Sequence, residues 1–277
     1  MTDSDDSGLS LPSVPSSGGR RIAPEGVYTA ALIIIGNEIL SGRTHDTNTP
    51  WIAERLTRHG ILLQEVRVVP DVEPVIIRAV NEMRKTFDYV FTTGGIGPTH
   101  DDITAESIAK AFGVPVHQHE QAYKALNQHY GPKELTPSRL KMAMVPLGAD
   151  LIPNPVSGAP GFIMENTYVM AGVPRIMQAM FDYILSILVA GKPILSHTIT
   201  CDLAESVVAD DLSTLQDRFP DVQIGSYPHY RGGVLGLSLV LRTTREDLLA
   251  ETEDAVLSLL GRHGVEPRAI SIKNDDI

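Results

Sequence analysis

The chain has 277 residues, 43% of them hydrophobic, with a formal net charge of -11 and a single cysteine. That length leaves room for one large domain and a small one, and a surface this acidic disfavours nucleic-acid phosphates and anionic membranes. One cysteine permits no intramolecular disulfide, which suits a reducing cytosol, and no run approaches the roughly 18 apolar residues that cross a bilayer.

Residues 1–25 are rich in Ser, Gly, Pro and Asp and lack the basic start and apolar core of a signal peptide. Such a composition cannot bury enough apolar surface to offset its ordering entropy, so a disordered tail is expected there. The pattern changes at Val27. VYTAALIIIG is a continuous apolar run closed by glycine, as in a strand buried on both faces. Thr49-Pro50-Trp51 opens a helix that stops at His59-Gly60, and ILLQEVRVV reads as a second strand. Asp71 to Pro74 looks like a helix start, with Val75, Ile76, Ala79, Val80 and Met83 on one face. FDYVFTT is a third strand and runs into the loop TTGGIGPTHDDIT, and DITAESIAKAFG is the helix after it. This alternation predicts a mostly parallel sheet covered by helices on both faces, a three-layer α/β/α sandwich.

Residues 118–144 read as two helices broken at Gly131-Pro132. A Pro/Gly loop, PNPVSGAPGF, precedes two short strands, GFIMEN and TYVMAG, and RIMQAMFDYILSILVAG is a long helix. Gly191-Lys192-Pro193 looks like a linker. Beyond it a β-α-β-β-α order, with strands flanking a Gly-rich turn, predicts a small α+β domain, and the segment after Val265 reads as peripheral. The expected organisation is a tail over 1–25, an α/β domain over 26–191 and an α+β domain over 192–277.

The loop between the third strand and its helix holds Gly94, Gly95 and Gly97, then Asp101 and Asp102. A loop leaving a parallel strand lies at the carboxyl edge of the sheet, where ligands bind in open α/β folds. Glycines let an anion approach backbone amides closely, although the same residues fit a plain tight turn. The loop contains neither G-x-G-x-x-G nor Gly-Lys-Ser/Thr, so neither a dinucleotide fingerprint nor a Walker loop applies. One of the two aspartates could cap the next helix; a hard divalent cation, bridging to phosphates held by the glycines, accounts for both. The loop after the first strand, GNEILSGRTHDTN, brings Glu38, His45, Asp46 and Asn48 to the same edge. His45 and His100 are candidate general acids or simply solvated side chains, and Asn48 is a candidate ligand residue or a helix cap.

TGGIGPTHDDIT, GNEILSGRTHDTN, NPVSGAPGF and AGVPRIM together resemble the molybdopterin-binding domain superfamily. Within it the resemblance is to the competence/damage-inducible branch and to the N-terminal domain of eukaryotic FAD synthases. The small C-terminal unit, with its IGSYPHY turn, is similar to the unit C-terminal to this domain in that branch. The resemblance implies a pocket at the sheet edge for molybdopterin or a nucleotide pyrophosphate. It nominates Gly36, Asn37, Glu38 and Asn48 from the first loop as ligand-binding. From the others it nominates Thr93, Gly94, Gly95, Gly97, Thr99, Asp101, Gly158 and Pro174. It carries the two key carboxylates onto Asp46 and Asp102 as catalytic and metal-holding residues. It implies a divalent metal (Mg²⁺, Mn²⁺ or Co²⁺), a nucleotide or pterin as small-molecule partner, and a homo-oligomer. The implied reaction is metal-dependent hydrolysis of a nucleotide diphosphate of the ADP-ribose or FAD type. The alternatives are a non-catalytic binding module and molybdopterin adenylylation. Ala171 stands where the branch has proline, and the run at 157–159 departs from its common form. The amidase domain of longer relatives is not expected in 277 residues.

Overall fold

The computed structural model describes residues 26–231, 234–267 and 269–272, so the tail expected over 1–25 lies outside the described residues. The chain runs β1 (Tyr28–Ile35), α1 (Asn37–Leu40), α2 (Asn48–Arg58), β2 (Ile61–Val69), α3 (Glu73–Thr86), β3 (Tyr89–Thr93) and α4 (Thr104–Phe112). Then come β4 (Val116–Gln118), α5 (Glu120–Tyr130), α6 (Pro137–Leu140), β5 (Met144–Pro146) and β6 (Asp150–Ile152). β7 (Gly161–Met164), β8 (Thr167–Met170) and α7 (Pro174–Ile187) come next. Two compact units divide the described residues: Val27–Thr57 with Ile61–Gly191, and the remainder, mainly from Lys192 onward.

The first unit is built on a six-stranded sheet in the order β2-β1-β3-β8-β7-β6. β2, β1, β3 and β8 are parallel, and β7 runs antiparallel to both of its neighbours. β1 shows why the sheet has two covered faces. Alternate residues of a strand point to opposite sides. Ala30, Leu32 and Ile34 pack with Ile52 and Leu56 of α2 and with Met177, Phe181 and Ile184 of α7. Ala31, Ile33 and Ile35 pack with Ile76, Val80 and Met83 of α3 and with Ile108 of α4. The continuous apolar run is therefore what a central strand between two helical layers requires.

The segment 118–144 departs from expectation. α5 is a full helix, ended at Gly131 with φ 78°. Beyond it lie only the four-residue α6 and a 3-10 turn, Lys141–Ala143. Pro137 fixes the first position of α6 behind the Thr136 cap, and Met144 already pairs in β5, so no room remains for a second long helix.

The second unit comprises β9 (Leu195–Cys201), α8 (Glu205–Arg218), β10 (Gln223–Arg231), β11 (Val234–Thr243), α9 (Glu246–Arg262) and β12 (Ala269–Ile272). Its sheet order is β10-β11-β9-β12 with every neighbour antiparallel. This is a split β-α-β arrangement, β11 lying between β10 and β9, and IGSYPHY, expected as a turn, lies within β10, where its residues pair continuously with β11. β12, in the stretch expected to be peripheral, is an edge strand on β9. Its four residues pair with one neighbour only, too short a signal for alternation to reveal. Leu237, Leu239 and Leu241 of β11 meet Val208 and Leu215 of α8 and Val256 and Leu259 of α9 in this unit's own core, which also buries Cys201.

Candidate functional site

The chain passes from β1 to β2 on one side and reaches β3 on the other, so the loops after β1 and β3 diverge from adjacent carboxyl ends. Such a reversal opens a crevice in α/β sheets. Here the crevice is a cavity of about 730 Å³, within the roughly 300–1,000 Å³ of small-molecule sites. Strand ends crowd at its floor. Gly94, at φ 99°, donates its amide to Met170 O at 3.1 Å, and a Cβ there would sit 2.1 Å from Ile35 O. Gly95, at φ 69°, would place a Cβ 2.1 Å from Thr104 Oγ1. Only glycine fits either position.

Thr104 closes this loop onto α4. Its amide donates to Gly95 O and its hydroxyl to Gly94 O, both at 3.0 Å. The amides of Gly95, Ile96 and Gly97 donate to no group among the described residues, so they are available to a bound anion. α4 starts at Thr104 behind Ile103, with no side-chain cap; the expectation that Asp101 or Asp102 caps it is corrected. Both carboxylates instead fold the loop around Thr99. Asp102 Oδ2 accepts from the Thr99 amide at 2.8 Å, and the single proton of the Thr99 hydroxyl is shared between Asp102 Oδ2 at 2.5 Å and Asp101 Oδ1 at 2.6 Å. The Thr99 hydroxyl thereby holds the Asp101 carboxyl below its ordinary pKa. Lys141 Nζ, from outside this lining, donates to Thr99 O at 2.9 Å.

The loop after β1 behaves differently. Asp46 Oδ1 accepts from the amides of Asn48 at 2.9 Å and Thr49 at 3.1 Å, so Asp46 holds the start of α2 and is not among the cavity-lining residues. Asn48 does not cap; its buried amide donates to Gly172 O at 2.9 Å, tying this loop to the one after β8. Gly36 and Asn37 lie behind the lining, while Glu38 faces the cavity, its carboxylate lying over the bare Gly36 backbone. Asp71 was expected only at a helix start. Yet Val72 precedes α3 without a side-chain cap, and Asp71 lines the cavity with Oδ2 accepting the Asn37 amide at 2.9 Å.

The opposite wall comes from residues 130–176. Asn154 organises the Pro/Gly loop: its Nδ2 donates to Ser157 Oγ and Ala159 O, and its Oδ1 accepts the amides of Val156 and Ser157. Ser157 and Ala159 line the cavity on either side of Gly158, which does not. Val173, Pro174 and Ile176 bring the start of α7 to it, whose dipole favours a negative group. Tyr130, Arg139 and Met142 complete the wall. Of the nominated residues, Glu38, Gly94, Gly95, Gly97, Thr99, Asp101, Asp102 and Pro174 thus share one cavity; Gly36, Asn37, Asp46, Asn48, Thr93 and Gly158 are not among its lining residues. His45 is exposed and His100 is 98% exposed in its side chain, and neither lines it. Asp71, Asn154, Tyr130 and Arg139 were missed. An Asn followed by Pro-Val-Ser is an Asx-turn signal that could have found Asn154; the others had none.

No group of three or more His, Cys, Asp or Glu among the described residues is placed to hold a metal alone. A divalent ion of the Mg²⁺ kind needs only one or two carboxylates when phosphate oxygens and water complete its shell. Asp71 and Asp102, both lining the cavity, are carboxylates of that kind. The bare Gly97 backbone leaves Asp102 open to the cavity, since a Cβ there would lie 2.6 Å from Asp102 Oδ2.

Residues 31–197 match the family model described as "Probable molybdopterin binding domain". The chain belongs to this molybdopterin-binding domain family. A second model, "FAD synthase, middle domain", matches residues 193–269 of this family member. A protein of Aeropyrum pernix is 34% identical over 264 residues, covering 89% of this chain and 97% of that one. A probable FAD synthase of Caenorhabditis briggsae is 30% identical over 270 residues, covering 88% of this chain and 52% of that one. The crystal structure of CinA from Thermoplasma acidophilum, a protein of unknown function, is 38% identical with a TM-score of 0.56, covering 59% of this chain and 99% of that one. The competence/damage-inducible and FAD synthase resemblances read from the four motifs are shown, as is the α/β fold with its small antiparallel-sheet domain. No helix among the described residues is long and apolar enough to cross a membrane.

Proposed function

We propose that this cavity binds a nucleotide diphosphate of the ADP-ribose or FAD type and hydrolyses its P–O–P link with a divalent metal. The observation that carries the reading is the meeting, in one cavity, of free glycine-loop amides with carboxylates from three separate loops: Glu38, Asp71 and Asp102. The amides of Gly95, Ile96 and Gly97 would take phosphate oxygens, and the start of α7 favours the same charge. Asp71 and Asp102 would hold Mg²⁺, Mn²⁺ or Co²⁺; such an ion, when bound, acts as a Lewis acid and lowers the pKa of water. Asp46, engaged at α2, is replaced in this role by Asp71. The carboxylate of Glu38, which lines the cavity and has no hydrogen bond among the described residues, would accept the proton of the attacking water. One O–P bond forms, the bridging P–O bond breaks, and two phosphomonoesters leave.

A panel of ADP-ribose, FAD and inorganic pyrophosphate with Mg²⁺, Mn²⁺ and Co²⁺, with product chromatography as the readout, tests this. AMP with ribose 5-phosphate, or AMP with FMN, is expected. No cleavage with any metal would sink it. Binding without products would favour the second reading, a module that holds a pterin such as molybdopterin or a nucleotide without turnover. That reading draws on the hydrogen bonds already made by Asp71 Oδ2 and Asp102 Oδ2 to their own loops.

A further inference from the structure

The charged lining of the cavity is unbalanced. Glu38, Asp71, Asp101 and Asp102 are four carboxylates, and Arg139 is the one cation among the described lining residues. A pyrophosphate entering this lining needs positive charge at both phosphates, because an unpaired anion removed from water is costly. A divalent ion on the carboxylates answers for one phosphate. Lys141, beside the same glycine loop, has its Nζ on Thr99 O and is not in this lining; Arg139, on the opposite wall, is the lining side chain able to answer for the other.

Arg139 is braced before any ligand arrives. Its guanidinium carbon lies 4.2 Å from the centre of the Tyr130 ring. Its Nη1 donates to Glu134 O at 2.6 Å and to the Glu134 carboxylate at 3.1 Å. Its backbone amide donates to Thr136 Oγ1 at 3.3 Å, at the start of α6. Nε and Nη2 have no partner among the described residues. A guanidinium laid on a ring keeps its N–H groups in the plane, and two such groups match a phosphate in a bidentate fork. Restricting the side chain in advance also lowers the entropy lost on binding. An ion pair with Glu134 needs neither the ring nor a place in the cavity wall.

We infer that Arg139, braced by Tyr130 and Glu134, is the anion receptor for the second phosphate of a pyrophosphate-linked nucleotide, a role that rests on the nucleotide-diphosphate reading above. Equilibrium binding of ADP-ribose and of uncharged adenosine, both with Mn²⁺, tests it in the full chain. Arg139→Gln is expected to weaken ADP-ribose roughly 10- to 100-fold, the range for hydrogen bonds to a charged group, and to leave adenosine within about twofold. In turnover the loss should appear mainly in KM, since the contact exists before and during the reaction. Arg139→Lys keeps the charge, loses the fork and should fall between, and it carries the test if the glutamine variant does not fold. Wild-type protein that binds ADP-ribose alongside variants that bind it equally well would overturn the Arg139 role and leave the nucleotide reading standing. Equal losses for adenosine and ADP-ribose would also overturn it, because a phosphate receptor cannot act on a ligand without phosphate. Wild-type protein that binds none of ADP-ribose, FAD or pyrophosphate would overturn both.

Discussion

The loops after β1 and β3 leave adjacent parallel strands at the same edge of the sheet, and each runs into a helix. They use their carboxylates in opposite ways. After β1, Asp46 accepts the first amides of α2 and is not among the cavity-lining residues. After β3, the first amide of α4 is taken by the carbonyl of Gly95, so Asp101 and Asp102 remain free to fold around Thr99 and line the cavity. A helix start has several orphan amides, and whichever group satisfies them first decides what a neighbouring acid can do.

The largest test of that contrast is on the glycines. Gly94→Ala would force a Cβ against Ile35 O in a backbone region hostile to side chains, and should cost on the order of 2–5 kcal/mol in chemical denaturation. Gly42, in the first loop, has φ 71° but nothing within 4 Å of a built Cβ, so Gly42→Ala should cost only about 1 kcal/mol. Similar costs at the two positions would erase the distinction between a crowded loop and an open one.

Next in size are the acids. Asp102→Asn and Asp71→Asn should each weaken metal-dependent nucleotide binding by roughly 10-fold or more, as disturbed metal sites do, seen by titrating Mn²⁺ with ADP-ribose present. Asp46→Asn should leave that titration unchanged, because asparagine and aspartate cap about equally. A loss at Asp46 as large as at Asp102 would return Asp46 to the site.

Asp46→Ala, by contrast, removes the acceptor for two amides. It should lower stability by about 1 kcal/mol in thermal unfolding while ligand affinity stays near wild type. Stability unchanged by this variant would mean that water caps α2 as well as the side chain does.

The smallest effect concerns pH. The folded pKa of Asp101 is lowered from 3.8, chiefly by the Thr99 hydroxyl. Its contribution to stability is therefore present above 3.8 and lost as pH falls through the lower folded value. The difference in Tm between wild type and Asp101→Asn should stay flat between about pH 8 and about pH 5 and shrink below that. A difference that changes through neutral pH would point to another titrating partner.

Much of this molecule was legible along the chain. The apolar run over β1 reads as a central strand because all but its first residue are buried, and no other environment tolerates such a run in an extended chain. The helices α3 and α4 were legible because local periodicity defines them, with a glycine stop at the end of α4. The three-residue strands β4, β5 and β6 were not, since their pairing comes from distant neighbours and three residues carry no periodicity.

The sequence alone determined that a glycine loop with two aspartates succeeds a buried parallel strand, and hence which edge of the sheet carries the candidate site. Strand burial, glycine permissiveness and chain direction are local properties, so the string of residues suffices to state them. Only the tertiary structure decided which acids face the cavity. Asp46 and Asp71 are separated by α2 and β2, and which of them meets a helix amide and which lines the cavity depends on how two loops end beside β3. The far wall was decided in the same way. Tyr130, Arg139 and Asn154 reach Gly95 and Asp102 only through the folding of a sheet whose strand order differs from chain order; contacts of that kind have no spacing in the sequence by which to find them.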